Sequence, residues 1–162
     1  MNCLTSSASR KRKAASSCVL ERALKSIVKQ SLSNQAYEVI VVDNGSTDDT
    51  KAIVNNFDEH IENLVYIYDE NPGLHVGRHR GLLAAKAEIL VYADDDIEAL
   101  STWLEGILES FESSNVVLVG GKNIPNFEST PPDWILEMWE KGSNQKILGY
   151  LSILDFGDEV QE

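Results

Sequence analysis

Cysteine, long apolar runs and basic residues are all scarce in this chain. Its 162 residues include only two cysteines, Cys3 and Cys18. They form no CxxC pair and have no His partners at metal-binding spacing, which argues against a disulfide framework and a structural zinc site. No apolar run approaches the roughly 18 residues needed to cross a bilayer, and residues 1–13 lack the apolar stretch of a signal peptide. We therefore expect a cytoplasmic protein whose membrane contact is at most peripheral, at the inner face.

Basic residues are concentrated at the start of the chain. Residues 1–36 contain seven Lys or Arg residues and one acidic residue, whereas the rest of the chain contains seven basic and 25 acidic residues. An acidic body repels a phosphate backbone, so we predict no nucleic-acid partner. An anionic ligand then needs a local cation or a metal. The basic run at residues 10–13 is typical of a solvated tail, and we predict a basic, flexible head over residues 1–18.

Short apolar strands alternate with helices along the rest of the chain. The predicted strands cover residues 37–42, 64–68, 88–93 and 116–119, and the predicted helices cover residues 20–32, 46–57, a segment after residue 73, and 102–111. Strands of this length separated by helices imply right-handed crossovers and a mostly parallel sheet sandwiched by helices. We therefore predict a single α/β domain, whose ligands bind at the carboxyl ends of the strands.

Three adjacent carboxylates, Asp94, Asp95 and Asp96, follow the predicted strand EILVYA. Carboxylates this close repel one another unless a cation or a set of donors compensates them. Their hard oxygen ligands suit Mg²⁺ or Mn²⁺, which would hold a diphosphate and neutralise the charge that grows on it as it leaves. A solvated acidic loop is the simpler interpretation of the same residues.

Two other kinds of site use similar acidic spacing. Asp94 and Glu105 occupy the first and twelfth positions of a calcium loop, but Ala99 stands where that loop needs its turn glycine, and a strand precedes it instead of a helix. A haloacid-dehalogenase-like phosphatase also places an Asp-x-Asp pair after a strand, and Asp94 would then be the nucleophile. The phosphatase remains the enzymatic alternative.

Three motifs in order carry a more specific signal. YEVIVVDNGSTDDT, NPGLHVGRHRGLLAAKAEILVYADDD and VGGKNIP resemble family 2 glycosyltransferases of the GT-A fold over roughly residues 20–125. The resemblance implies a Rossmann-like GT-A core over residues 19–125 and the start of an acceptor-side region over residues 126–162. It also implies inverting transfer of a sugar from a nucleotide-diphosphate sugar to a saccharide or lipid-linked acceptor, assisted by a divalent metal.

The same resemblance implies roles for individual residues. Asp43 would hydrogen-bond the nucleobase of the donor, in a turn shaped by Asn44 and Ser46. The Ser46 position also fits a helix cap, with Asp49 three residues later, and one turn can serve both purposes. Gly73 and Arg78 match the family's NxGxxxARNxG stretch, in which the arginine helps to fix the nucleotide.

The acidic cluster matches the Asp-x-Asp motif of the family. By resemblance, Asp94 contacts the ribose, Asp96 binds the metal together with Asp94, and Asp95 adds negative field. The general base of the family lies beyond the segment that LSILDFGDEV resembles, so we nominate no catalytic residue. We expect a chain that is truncated at its C-terminus and has lost the first strand of the family, which leaves a non-catalytic nucleotide-binding remnant as the alternative to an enzyme.

Overall fold

The computed structural model describes residues 2–7, 15–71, 73–141, 146–148 and 153–155. The chain divides into two compact units, Met1–Ser114 and Asn115–Glu162. The strands of the first unit are β1 (Asn2–Ser7), β2 (Glu38–Asp43), β3 (Leu64–Tyr68) and β4 (Leu90–Asp94). Its helices are α1 (Ala15–Val28), α2 (Thr50–Asn55), α3 (Leu74–Ala84) and α4 (Trp103–Ser110).

The four strands form one parallel sheet in the order β3-β2-β1-β4. Three of them lie within two residues of the positions that the apolar runs predict, and the predicted mostly parallel α/β fold is confirmed. Parallel neighbours require crossover connections, and the helices between the strands supply them. All four carboxyl ends therefore meet at one edge of the sheet.

The prediction that the first strand is lost is wrong. Residues 2–7 form β1, which lies between β2 and β4 and pairs with both of them in parallel. The sequence NCLTSS has only two apolar residues, so its hydropathy indicates no strand. A central strand, however, is also held by backbone hydrogen bonds along both of its edges, and these bonds do not depend on side-chain polarity.

The predicted head is also wrong over its last residues, because α1 begins at Ala15. The basic run at residues 10–13 lies outside the described residues. Along α1 the apolar residues Leu20, Leu24 and Ile27 recur at helical spacing and are at most 1% exposed. Burying each of these side chains contributes roughly 1.5–3 kcal/mol, which fixes this face of α1 on the sheet.

The side chains of β2 alternate between two hydrophobic clusters, one on each face of the sheet. Val39 and Val41 belong to the cluster that includes residues of α1, α2 and α4. Ile40 and Val42 belong to the second cluster, with Ala84 at the end of α3. Helices therefore cover both faces, as predicted. On its sheet side α3 buries Gly77 and Gly81, which allow the helix to approach the strands closely.

The predicted capping box at Ser46 and Asp49 is not formed. The cap position of α2 is Asp49, whose side chain makes no capping hydrogen bond. The carboxylate of Asp48 instead accepts hydrogen bonds from the backbone N–H of Thr50, at 3.1 Å, and from its hydroxyl. Ser46 lies earlier in the chain, in the turn after β2, where its backbone N–H donates a hydrogen bond to Asp43.

The second unit contains α5 (Asp133–Lys141) and an antiparallel pair of short strands, β5 (Lys146–Leu148) and β6 (Ile153–Asp155). The strand predicted at residues 116–119 is absent, and Val117 and Leu118 are 89% and 87% exposed. An apolar run becomes a strand only where another backbone pairs with it, and hydropathy does not encode that partner. Across the described ranges of both units, no helix is long and apolar enough to span a membrane.

Candidate functional site

The carboxyl edge of the sheet brings two predicted site residues to either side of β1. Asp43 ends β2 and pairs in register with Ser7, and Asp94 ends β4 and pairs with Ser6. Neighbouring strands lie about 4.8 Å apart, so the backbones at Asp43 and Asp94 are about 10 Å apart across β1. A ligand that contacts both residues must lie across the end of that strand.

Asp43 is almost completely buried at its end of this edge. The residue is 2% exposed, and each carboxylate oxygen accepts a hydrogen bond. The backbone N–H of Ser46 donates to Oδ1 at 2.8 Å, and the hydroxyl of Tyr66 donates to Oδ2 at 2.6 Å. Ser46 therefore shapes the turn through its backbone, and Tyr66 is a member of the site that the sequence patterns did not indicate.

Asn44 joins the turn after β2 to the loop before α3. Its Nδ2 donates to the carbonyl of Asn71 at 2.5 Å, and its Oδ1 accepts a hydrogen bond from the backbone N–H of Gly73. Both ends of the side-chain amide are thus occupied within the protein, and the residue is 9% exposed. Asn44 therefore contributes to the site by fixing the backbone at Asn71 and Gly73.

Gly45 and Gly73 supply the backbone conformations that this junction requires. Their φ angles are +81° and +146°, a region in which residues with a side chain are strained. Gly73 is also the cap residue of α3. The clamp made by Asn44 therefore fixes the starting point of the helix that carries Arg78.

Asp69, the residue after β3, is a second buried carboxylate that the motifs did not indicate. It is 5% exposed, and its Oδ1 accepts hydrogen bonds from the backbone N–H and the side chain of Asn71 at 2.9 and 2.8 Å. Its Oδ2 accepts from Nε of Arg80 at 2.5 Å. The Asn71 backbone bond, followed by the bond from Arg80, lowers the pKa of Asp69 to about 2. The signal in the sequence was local: a polar Asp-x-Asn directly after the apolar run of β3.

Arg78 lies against the far end of the site. Its Nη2 is 3.4 Å from Oδ1 of Asp94, and its guanidinium lies over the ring of Tyr92 at 5.7 Å from the centroid. The Arg78 and Asp94 side chains are 40% and 59% exposed. An ion pair this exposed stabilises a fold by about 1 kcal/mol or less. The pair leaves the guanidinium at the sheet edge, where it is accessible to an anionic group.

The other two acidic residues lie in the turn after β4, where Asp96 is exposed and Asp95 is partly exposed. Within the described ranges no group of three His, Cys, Asp or Glu residues is placed to hold a metal ion. Mg²⁺ sites that serve phosphate substrates usually use one or two carboxylates, with phosphate oxygens and water completing the shell. The exposed carboxylates of Asp94 and Asp96 fit a site of that kind.

A groove of about 490 Å³ lies at the opposite, amino edge of the sheet and is lined by residues including Tyr37, Glu38 and Lys86. Ligands of parallel α/β sheets bind outside the carboxyl ends of the strands. None of the predicted site residues lines this groove. We therefore place the candidate site at the carboxyl edge, around Asp43 and Asp94.

The chain is similar to several known proteins. The model of the family described as Glycosyl transferase family 2 matches residues 15–157. Glycosyltransferase AglE of Haloferax volcanii is 35% identical over 115 residues, which are 70% of this chain and 36% of AglE. The GalNAc(5)-diNAcBac-PP-undecaprenol beta-1,3-glucosyltransferase of Campylobacter jejuni is 34% identical over 93 residues, which are 56% of this chain and 29% of that protein.

A solved structure, the mannosyltransferase PcManGT from Pyrobaculum calidifontis in complex with GDP-Man and Mn²⁺, is similar with a TM-score of 0.57 and 21% identity. The match covers 85% of this chain and 38% of PcManGT, and at this identity it shows the fold alone. This chain spans about a third of the length of the curated relatives that it matches.

Proposed function

Because the chain belongs to glycosyl transferase family 2 and has the GT-A fold, we propose that it transfers a sugar from a nucleotide-diphosphate sugar to an acceptor hydroxyl, assisted by a divalent cation. The observation that carries the proposal is the placement of Asp43 and Asp94 on the two strands that flank β1. A nucleotide laid across the end of β1 has its base at Asp43 and its ribose and diphosphate at Asp94.

Charge along this edge agrees with that orientation. Asp43 is a buried hydrogen-bond acceptor, which suits the N–H groups of a nucleobase. Arg78 places a guanidinium beside Asp94, and guanidinium groups bind phosphate oxygens through paired N–H donors. The hydrogen bond between Asn44 and Gly73 ties the turn after Asp43 to the start of α3, the helix that carries Arg78. Asp95 adds negative charge next to the cation site.

Asp96, together with Asp94, would hold Mg²⁺ or Mn²⁺. When bound, the cation neutralises the charge that grows on the diphosphate as it leaves. Asp94 already shares one oxygen with Arg78, which leaves the exposed carboxylate of Asp96 as the main protein ligand. An acidic cluster without a compensating cation repels the diphosphate, so donor affinity should depend on the metal.

The reaction inverts the anomeric centre. A carboxylate base removes the proton of the acceptor hydroxyl, the oxygen attacks the anomeric carbon, and the nucleoside diphosphate leaves. The described residues place no carboxylate that we assign as this base, so turnover depends on a base from another segment or partner. The alternative is a non-catalytic nucleotide-binding module, which binds the donor and never turns it over. The family match argues against the phosphatase.

The acceptor is a saccharide or a lipid-linked saccharide. Support comes from the Campylobacter jejuni relative, whose name specifies an undecaprenol-linked substrate. Contact with the membrane is then peripheral. The acidic balance of the chain outside residues 1–36 supports the absence of a nucleic-acid partner.

Calorimetric titration of the chain with UDP, GDP and dTDP, with and without Mn²⁺, tests the proposal. We expect one of the nucleotides to bind at least about tenfold more tightly with Mn²⁺, and Asp96→Asn to remove that difference. Glu88→Gln, an exposed carboxylate two residues before the amino end of β4, is the matched control and should keep it. A folded chain that binds no nucleotide, or an Asp96→Asn variant with unchanged metal dependence, contradicts the proposal. Phosphate release from a generic ester would favour the phosphatase.

A further inference from the structure

We propose that Tyr66 is a positioning residue for nucleobase recognition, because its hydroxyl fixes the carboxylate of Asp43 in the orientation from which it accepts an N–H group of the base. The inference rests on the proposed function, since it explains how the same site distinguishes one nucleotide from another. Tyr66 lies in β3, which β2 and β1 separate from β4 and Asp94.

The sheet register brings the two side chains together. Tyr66 pairs with Val41 of β2, and Asp43 is two residues further along that strand, on the same face. The diagonal separation is within reach of a tyrosine, and the hydroxyl donates to Oδ2 of Asp43 at 2.6 Å. The backbone N–H of Ser46 donates to Oδ1 at 2.8 Å. One donor on each oxygen fixes the plane of the carboxylate.

The orientation of the carboxylate plane matters because Asp43 is buried. Asp43 is 2% exposed, so an incoming base finds very little carboxylate surface. Each oxygen already accepts one hydrogen bond within the protein, so the direction of its remaining lone pair depends on the plane of the group. The carboxylate therefore accepts a hydrogen bond from a ligand only while Tyr66 and Ser46 hold it in place.

Tyr66 remains a donor over the whole working range of pH. Its burial, followed by the hydrogen bond to Asp43, raises the pKa of its hydroxyl well above the usual range. Lys51 of α2 lies over the ring, with its Nζ 5.8 Å from the centroid, and supports the ring from the helix side. The hydroxyl therefore stays protonated and stays directed at the carboxylate of Asp43.

An ionised carboxylate accepts hydrogen bonds and donates none. Uracil and guanine present a ring N–H where cytosine and adenine present an unprotonated ring nitrogen. A fixed Asp43 carboxylate therefore favours UDP over CDP, or GDP over ADP. A carboxylate that is free to rotate loses part of this preference, while contacts with ribose and diphosphate remain.

The test compares Tyr66→Phe with Tyr37→Phe in the full chain. Tyr37→Phe also removes a buried hydroxyl, beside the amino end of β2, whose oxygen lies 2.7 Å from Oδ1 of Asn34 and 3.2 Å from the carbonyl oxygen of Ile27. Affinities for UDP, CDP, GDP and ADP are measured with Mn²⁺, together with the free energy of unfolding. Tyr66→Phe should reduce the ratio of the affinity for UDP to that for CDP, or of the affinity for GDP to that for ADP, about tenfold. The reason is that a hydrogen bond to a charged group is lost. Tyr37→Phe should lower stability and leave the ratio unchanged.

A double-mutant cycle makes the result specific. In an Asp43→Asn background the Tyr66→Phe change should no longer alter the ratio, because the group that Tyr66 positions is gone. An unchanged ratio in Tyr66→Phe, or an equal loss of affinity for all four nucleotides, overturns the proposal and leaves the proposed function intact. A natural chain that binds UDP and CDP with equal affinity, and GDP and ADP with equal affinity, also overturns the proposal and leaves the proposed function intact. A natural chain that binds none of the four overturns the proposed function and this inference with it.

Discussion

Arg80 donates through Nε to the carboxylate of Asp69, so that one turn of α3 is tied to the residue that follows β3. The side chain of Asp69 is 3% exposed, whereas that of Arg80 is 53% exposed. A charge this buried is stable only with its donors in place, and Asn71 supplies the others. α3 is therefore held at its start by the clamp from Asn44 and further along, at Arg80, by Asp69.

The first prediction concerns acid unfolding. The pKa of Asp69 is lowered from 3.8 to about 2 by folding, so its contribution to stability is present above about pH 4 and is lost as the pH falls toward 2. Asp69→Asn should flatten the fall in unfolding free energy across this window, measured by urea unfolding at pH 7, 4, 3 and 2.5. Arg80→Gln should flatten it only in part, because Asn71 still donates. Identical pH profiles for the natural chain and Asp69→Asn would contradict the assignment.

The second prediction concerns the clamp at Asn44. Asn44→Asp keeps the acceptor for Gly73 but turns a carboxylate oxygen toward the carbonyl of Asn71, so it should cost about 1–3 kcal/mol of unfolding free energy. It should also weaken nucleotide binding, because α3 and Arg78 shift with the loop. The control is Asn63→Asp, which loses an amide donor to the carbonyl of Tyr37 at the amino edge. Nucleotide affinity that falls equally in both variants would count against a local clamp.

The third prediction concerns backbone strain at the start of α3. Gly73 has φ +146°, so Gly73→Ala should destabilise the chain by about 1–3 kcal/mol, although its Cβ would find space at 3.5 Å from Val76. Gly106→Ala, in the interior of α4 with nothing within 4 Å, should instead stabilise by up to about 1 kcal/mol. Thermal unfolding of the two variants checks the opposite signs. A neutral Gly73→Ala would show that the backbone relaxes there.

The fourth prediction separates binding from stability at Arg78. Arg78→Met should change the unfolding free energy by about 1 kcal/mol or less, because its pair with Asp94 is exposed. It should weaken binding of a nucleoside diphosphate at least about tenfold, because the proposed guanidinium contact to phosphate is lost. Lys25→Met removes an equally exposed pair with Glu21 on α1, and nucleotide affinity should not respond. Unaltered affinity in Arg78→Met would remove that residue from the site.

The apolar pattern of the sequence predicted the strands that are held mainly by the packing of their side chains. β2, β3 and β4 follow from apolar runs that end in polar turns, and Asp43 and Asp94 follow from the ends of those runs. β1 was missed because its stability comes from backbone pairing on both sides. The exposed run at residues 116–119 is the converse case, an apolar segment with no strand partner among the residues that the structure describes.

The contacts inside the site were the least predictable from sequence. Tyr66 meets Asp43 through the register of two strands, and Arg80 meets Asp69 through the path of the loop between β3 and α3. Neither pair has a fixed spacing in the chain that a motif could record. The family resemblance pointed to Asp43, Arg78 and Asp94 as proposed ligand contacts, whereas the geometry adds Tyr66, whose hydroxyl holds the carboxylate of Asp43.

The central place of β1 also sets the order in which the first unit can be assembled. Ser6 pairs with Asp94, so the middle of the sheet joins the start of the chain to residues that are synthesised much later. Pairing of residues so distant in sequence is slow, because the entropy of closing the intervening loop is lost before the contacts form. On the ribosome, β2 and β3 can pair early, but β1 cannot gain its second neighbour until β4 has emerged. We therefore expect the two ends of the proposed nucleotide site to meet only in the last step of folding.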